Sequence, residues 1–194
     1  MGSDLRADVR KAYSDAALHP EDKHPFPVGR AFALELGYPA EWLDSVSRLS
    51  VNAFTGVSAV PLFAEIPPRS VALDLGCGAG LDTLIAASRA GAGAKLVGID
   101  FSFAMLARAR RSLRKTGQQS VVFVLADAEN LPLPDASVDV ALVNGIFNLN
   151  PMREAIFAGL ARVMKPGGKV FGAELILREP LPEDQRRDAS NWFA

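Results

Sequence analysis

From Val71 onward, short apolar runs alternate with segments whose apolar residues recur at helical spacing. Val71–Leu75, Lys95–Ile99, Val121–Leu125 and Val138–Val143 are aliphatic and β-branched and predict four strands. Leu81 to Ala90 predicts a helix ending at Gly91. Ser102 is placed to cap a second helix, carrying Met105, Leu106, Ala109 and Leu113 to Thr116 and stopped by Gly117. Pro151 fits the first turn of a third, through Ile156, Leu160 and Val163. Lys165–Gly168 reads as a turn and Lys169–Leu177 as a long fifth strand. Strands alternating with helices at these lengths imply a parallel sheet with right-handed crossovers. The expected class is a doubly wound α/β fold of strand order 3-2-1-4-5, with ligand at the carboxyl ends where the order reverses.

Before this alternation the pattern changes. Val9 to Ala17 predicts a helix, His19 through Pro27 a proline-rich loop, and Arg30–Leu36 and Pro39–Val46 two short helices parted by Gly37. Phe26, Phe32, Tyr38, Trp42 and Phe54 are expected to pack this segment onto the sheet and to form part of a lid over the site. The expected division is a helical extension or lid over 1–68, a cofactor-binding domain over 69–178 and a C-terminal tail over 179–194.

The chemistry concentrates between Val71 and Asp82. An apolar run passes Asp74, then Gly76, Gly78 and Gly80, and enters a helix. A strand that delivers a Gly-rich turn to a helix N-terminus forms a cradle of backbone N–H groups. The next run ends in Asp100, 20 residues beyond Gly80, about where nucleotide-binding α/β folds place a ribose-binding acid. The spacing is G-x-G-x-G, and Leu81 stands where the dinucleotide fingerprint has its third glycine. Asp74 would repel a pyrophosphate and suits an ammonium group. A nicotinamide-dependent oxidoreductase is therefore disfavoured.

Here the sequence resembles the class I S-adenosylmethionine-dependent methyltransferases, whose first motif is similar to Leu73-Asp74-Leu75-Gly76-Cys77-Gly78-Ala79-Gly80. The likeness spans about Val71 to Leu177 and implies a Rossmann-like sheet, S-adenosyl-L-methionine as cofactor, S-adenosyl-L-homocysteine as product and a small-molecule acceptor. It places the cofactor against Asp74, Gly76, Cys77, Gly78 and Gly80. Asp100 would take the ribose hydroxyls, with Phe101 and Met105 flanking the adenine, although Met105 reads equally as helix core. Asp127 would accept from the adenine amino group beside the Ala128 N–H, and Asn144-Gly145 would lie near the sulfonium. Leu131–Asp139 resembles the family's turn into its fourth strand and is expected to be structural. Asn144 is followed by Gly-Ile-Phe, not by the Pro-Pro-Tyr/Phe of many amino-group methyltransferases, which argues against DNA-base or protein-glutamine substrates. No catalytic side chain is legible: in-line methyl transfer can rest on alignment in a dry pocket. His19 and His24 read as exposed loop residues before they read as bases.

A narrower likeness is to the arsenite methyltransferase branch, carried by Gly80–Ala87, Val143–Leu149, Leu36-Gly37-Tyr38 and Leu181–Asp188. That branch holds trivalent arsenic with thiolates, the soft ligands the ion demands. This chain has one cysteine, Cys77, in the cofactor turn, and Gly145 stands where arsenite enzymes carry another. Arsenic methylation is not expected, nor is any metal site. The superfamily closes its sheet with a C-terminal hairpin for which 178–194 leaves no room, so those strands are expected to be missing or incomplete and the tail truncated. An uncovered fifth strand invites pairing with a second copy, a homodimer. The rival reading is a cofactor-binding but catalytically incomplete module.

Composition adds bounds. A chain of 194 residues can bury one substantial core. Its formal charge of −1 gives no general reason to expect nucleic acid or an anionic membrane as partner. Arg108, Arg110, Arg111, Arg114 and Lys115 fall on what reads as the solvent side of a helix. The single cysteine excludes an intrachain disulfide, and Ser120–Ala126 and Val170–Leu177 are too short to span a bilayer. The N-terminus lacks an apolar signal core, so a cytoplasmic protein is expected.

Overall fold

The structure, a computed structural model, describes residues 2–176, with side chains from residue 5. Four helices come first: α1 (Gly2–Leu18), α2 (Arg30–Glu35), α3 (Ala40–Ser45) and α4 (Arg48–Val51). The alternating half follows as β1 (Val71–Leu75), α5 (Leu81–Arg89), β2 (Lys95–Asp100), α6 (Phe103–Thr116), β3 (Val121–Leu125), β4 (Val138–Asn144), α7 (Arg153–Val163) and β5 (Met164–Ala173). Every strand pair is parallel and the order is β3-β2-β1-β4-β5, as expected of a Rossmann-like sheet.

The near-continuous apolar runs of β1 and β4 follow from their central place. Leu73, Leu75, Ala141, Leu142 and Val143 are all buried, because helices cover both faces of a parallel sheet. Helix α6 begins and ends on the signals read in the chain. The Ser102 hydroxyl accepts from Met105 N at 3.3 Å, and Gly117 takes the left-handed conformation at φ 68°.

The structure corrects several boundaries. Lys165–Gly168 is a bulge within β5: Val138 pairs Met164 but Val140 pairs Lys169, so the intervening residues loop out while the ladder resumes to Ala173. The strand stops where its partner β4 stops, at Asn144, four residues short of Leu177, which lies outside the described residues together with the tail 179–194. Helix α7 starts at Arg153, leaving Pro151 in the turn before it. Helix α1 runs well past the Val9–Ala17 core of its pattern, and α4 was hidden by the short, weakly patterned segment that forms it. Two of the five clustered cations are not solvent-facing ornaments. Arg108 donates to the carbonyls of Ala17 and Leu18 at the end of α1 and to Leu49 O, tying α1 and α4 to α6, and Arg110 donates to Phe123 O at 3.0 Å.

The aromatic residues of the extension do pack it. Tyr13 stacks on Phe26 at 4.6 Å, Tyr38 meets Phe54 edge-on at 5.1 Å, and Arg89 of α5 lies 4.0 Å over the Trp42 ring.

Gly80 sets the separation of α5, α6 and the sheet. It sits at φ 82°, and a Cβ there would fall 2.7 Å from the Phe123 ring and 3.0 Å from the Ala109 methyl. The close-packing role of the third fingerprint glycine is thus filled one residue earlier. Gly80→Ala is expected to destabilise the fold by about 1–3 kcal/mol through overpacking and left-handed strain. Denaturant unfolding of the variant beside the wild type checks this; an unchanged midpoint contradicts it.

Candidate cofactor site

A cleft of about 1020 Å³, its open mouth included, lies at the carboxyl ends of β1, β2 and β4. Its floor is the turn after β1. Its roof comes from α1, through Arg6, Val9 and Tyr13, and from Ala53–Gly56. Of the residues expected at the site, Asp74, Gly76, Cys77, Gly78, Asp100, Phe101, Asp127, Ala128, Asn144 and Gly145 line this one cleft. Gly80 and Met105 do not. Gly80 faces Phe123, and Met105 is buried with Ala16, Ala17, Ala53 and Ala79, its sulfur 3.9 Å from where a Gly78 Cβ would stand. The helical period that aims Met105 one turn beyond Phe101 also turns it under the glycine loop.

The loop is not an open cradle of donors. Gly76 N and Cys77 N donate to Ile99 O at 2.8 and 3.0 Å, Gly80 N to Cys77 O at 2.8 Å, and Gly78 N to Asp100 Oδ2 at 2.9 Å. These bonds fix the loop against the end of β2, and what the loop offers is close backbone approach. Asp100 also accepts from Ser102 N at 2.7 Å through Oδ1. Burial pushes its carboxyl up to about 6, against the pull of those backbone donors. Each oxygen keeps a second acceptor site, which suits a pair of ribose hydroxyls. Cys77 is a buried free thiol whose pKa burial drives upward, so it stays protonated and unreactive.

The end of the cleft at Phe101 and Asp127 is covered by α1. Arg6 pairs with Asp127 at 2.9 Å and Glu129 at 3.3 Å, and Arg10, one turn on, stands 5.3 Å over the Phe101 ring. Asp127, expected to be open for an adenine amino group, is thus engaged by the extension.

The other end of the cleft, at Asp74 and Asn144, holds a cluster that sequence reasoning did not assemble. Asp74 and Asp82 are 2% and 6% exposed. Thr83 Oγ1 donates to Asp74 Oδ2 at 2.5 Å, the Tyr38 hydroxyl donates to Asp82 Oδ1, and Asn144 Nδ2 donates to Asp82 Oδ2 at 2.8 Å. Asn144 spends its amide on the extension too, accepting from Val57 N and Ser58 N and donating to Ser58 O. Among the described residues, no Lys, Arg or His pairs with either carboxylate. Burial first, then the neighbouring Asp82, push Asp74 up to about 8, and burial raises Asp82 against its hydrogen bonds. The signal for Asp82 was a carboxylate on the apolar first turn of α5. Tyr38 carried its aromatic ring and its place in Leu36-Gly37-Tyr38, one of the stretches similar to the arsenite methyltransferases. Gly145, at φ 75°, would bring a Cβ to 3.0 Å from Val57, so the position demands glycine.

Among the described residues no group of His, Cys, Asp and Glu is arranged for a metal, and no helix is long and apolar enough to cross a membrane.

A parallel sheet of this order, with a Gly turn after β1, an acid ending β2 and both opening on one cleft, defines a class I S-adenosylmethionine-binding domain. The comparisons agree: residues 68–193 match the family described as a methyltransferase domain, and the chain belongs to that family. It is 33% identical over 153 residues to an arsenite methyltransferase of Halobacterium salinarum, covering 79% of this chain and 39% of that protein. It is 40% identical over 148 residues to a demethylmenaquinone methyltransferase of Clavibacter sepedonicus, covering 71% and 58%. Among solved structures, an arsenic(III) S-adenosylmethionine methyltransferase from Chlamydomonas reinhardtii superposes with TM-score 0.62 at 26% identity, covering 82% of this chain and 53% of that one. A Haemonchus contortus phosphoethanolamine N-methyltransferase, solved with phosphomonomethylethanolamine and S-adenosylhomocysteine, gives 0.61 at 25%, covering 69% and 31%. The chain thus spans about 39–58% of the length of these curated relatives. S-Adenosylmethionine is the cofactor the family and the cleft share.

The raised Asp74 sets a pH dependence. The native state holds a proton that the unfolded chain releases near pH 3.8, so stability falls as pH rises from about 4 to about 8. Asp74→Asn cannot titrate and keeps an oxygen for Thr83. Urea unfolding of the two proteins across this range should show the wild type losing stability relative to the variant as pH rises. A difference that is flat, or that grows in favour of the wild type, contradicts the assignment.

Proposed function

We propose that the chain carries out S-adenosylmethionine-dependent methylation of a small-molecule nucleophile inside this cleft. The observation that carries the reading is the opening of Asp74, Gly78, Asp100, Asn144 and Gly145 onto one space under a helical roof. Bound there, the cofactor supplies an electrophilic methyl group on a sulfonium. The remaining work is positional. Asp100, braced by Gly78 N and Ser102 N, fixes the sugar; Phe101 and Ala128 flank the base; Asp74 receives the ammonium. Gly145 presents bare backbone to the approach to the methyl, its side-chain position being taken by Val57, and Ile146 and Leu149 keep that approach apolar. Alignment of two reactants in a water-poor cleft supplies much of the acceleration, and no side chain is required as nucleophile.

The acceptor is proposed to be non-anionic. Arg6 is the one cation among the lining residues, and Asp127 and Glu129 already hold it. Arsenite is disfavoured as acceptor because Gly145 brings no thiolate to the cleft and Cys77, the cysteine in its lining, is buried and protonated. The extension, residues 1–68, serves as the lid: Arg6, Arg10 and Tyr13 on one face of α1 lie over the adenine end. The partner proposed for the outer edge of β5, where Val170 is 51% exposed, is a second copy of this chain.

Asp100→Ala should weaken binding of S-adenosylhomocysteine by about 1.5–3 kcal/mol, the worth of charge-assisted hydrogen bonds. Calorimetric titration measures it, and unchanged affinity removes Asp100 from the site. The binding-only alternative is separated by turnover: cofactor affinity without methylation across oxygen, nitrogen, sulfur and carbon nucleophiles would favour it. For the edge, sedimentation should give a dimer that Val170→Lys converts to monomer; a monomer at all concentrations contradicts the pairing.

A further inference from the structure

The reading above uses one carboxylate at the methionine end, yet the cleft contains two. Asp82 lines the same cleft as Asp74 and is as withdrawn from water. Its oxygens are held by neutral donors only, the Tyr38 hydroxyl and the Asn144 amide, as Asp74 is held by Thr83. Structural carboxylates at such depth ordinarily meet a Lys or Arg, because two buried like charges repel and each has lost its water. No such cation reaches Asp74 or Asp82 among the described residues.

The cofactor carries two cations at its amino-acid end, an ammonium and a sulfonium, together with an α-carboxylate. The product keeps the ammonium and the carboxylate and has lost the sulfonium. We infer that Asp82 is a specificity-determining residue that recognises the sulfonium charge, so that the cleft favours S-adenosylmethionine over S-adenosylhomocysteine. Two acids matched to two cations hold the methyl donor. Once the methyl has left, Asp82 faces a neutral thioether, and the product is bound less tightly and released. Asn144, joined to Asp82, ends β4 beside Gly145, which the proposed function sets at the approach to the methyl. Tyr38 and Asn144 act through Asp82 by fixing its two oxygens, and both also touch Ser58, which anchors them to the extension.

The inference rests on the cofactor assignment, and the test separates the two. Affinities of the whole chain for three probes are measured by calorimetry: S-adenosylmethionine, S-adenosylhomocysteine, and the analogue in which a protonated amine replaces the sulfonium. The wild type should bind both cationic probes at least about tenfold more tightly than the thioether, the scale of one charge pair in a partly shielded site. Asp82→Asn should bring the three affinities together, chiefly by weakening the cationic probes. Tyr38→Phe, which removes one of the two side-chain donors that fix Asp82, should narrow the preference without abolishing it. It is the second variant should Asp82→Asn not fold, and a preference left intact by it then counts against Asp82. Equal affinity of the wild type for all three, or a preference that survives intact in Asp82→Asn, overturns the role of Asp82 while leaving the cofactor site standing. Failure to bind any of the three overturns the cofactor site itself.

Discussion

Two carboxylates withdrawn from water without a cation beside them set the terms for the rest of this molecule. Asp74 comes from the centre of the sheet and Asp82 from the first turn of the helix that follows. Burying their charged forms costs free energy that Thr83, Tyr38 and Asn144 only partly offset, since neutral donors stabilise a buried charge less than a counter-ion does, and both carboxyls are pushed toward the protonated form. The arrangement is a poor choice for stability alone. The proposed cofactor, cationic at this end, would offset part of that cost on binding.

The same network joins the two halves of the chain. Tyr38 reaches Asp82 from the segment between α2 and α3, and Asn144 reaches back from β4 to the backbone of Val57 and Ser58. Gly56 is glycine because any side chain there would collide with the Asn144 amide and the Phe54 ring. The roof of the cleft is therefore anchored to the buried carboxylate network. Arg108 adds a second anchor by closing the end of α1 onto α6, and Arg6 a third through Asp127.

Much of the sheet was legible from the chain, because parallel strands buried on both faces read as unbroken aliphatic runs and α6 carries both a serine cap and a glycine stop. The irregular parts were not. The bulge in β5 is chosen by pairing with β4, a long-range contact that leaves Lys-Pro-Gly-Gly reading locally as a turn. Asp74, Asp100 and the glycines announced themselves through spacing. Asp82 and Tyr38 are 44 residues apart and meet through tertiary packing, so no local pattern joins them. Likewise nothing in α1 alone shows that Arg6 would occupy Asp127, or that the loop's own N–H groups would be spent on Ile99 and Asp100.

The most direct test is crystallographic: difference density for S-adenosylhomocysteine in crystals of this chain. Adenosine bridging Asp100 and Phe101, with the amino-acid end running along Gly76–Gly78 to Asp74 and Asp82, is the outcome this account predicts. Density in the opposite orientation, or at any place other than the carboxyl ends of β1 and β2, would contradict it.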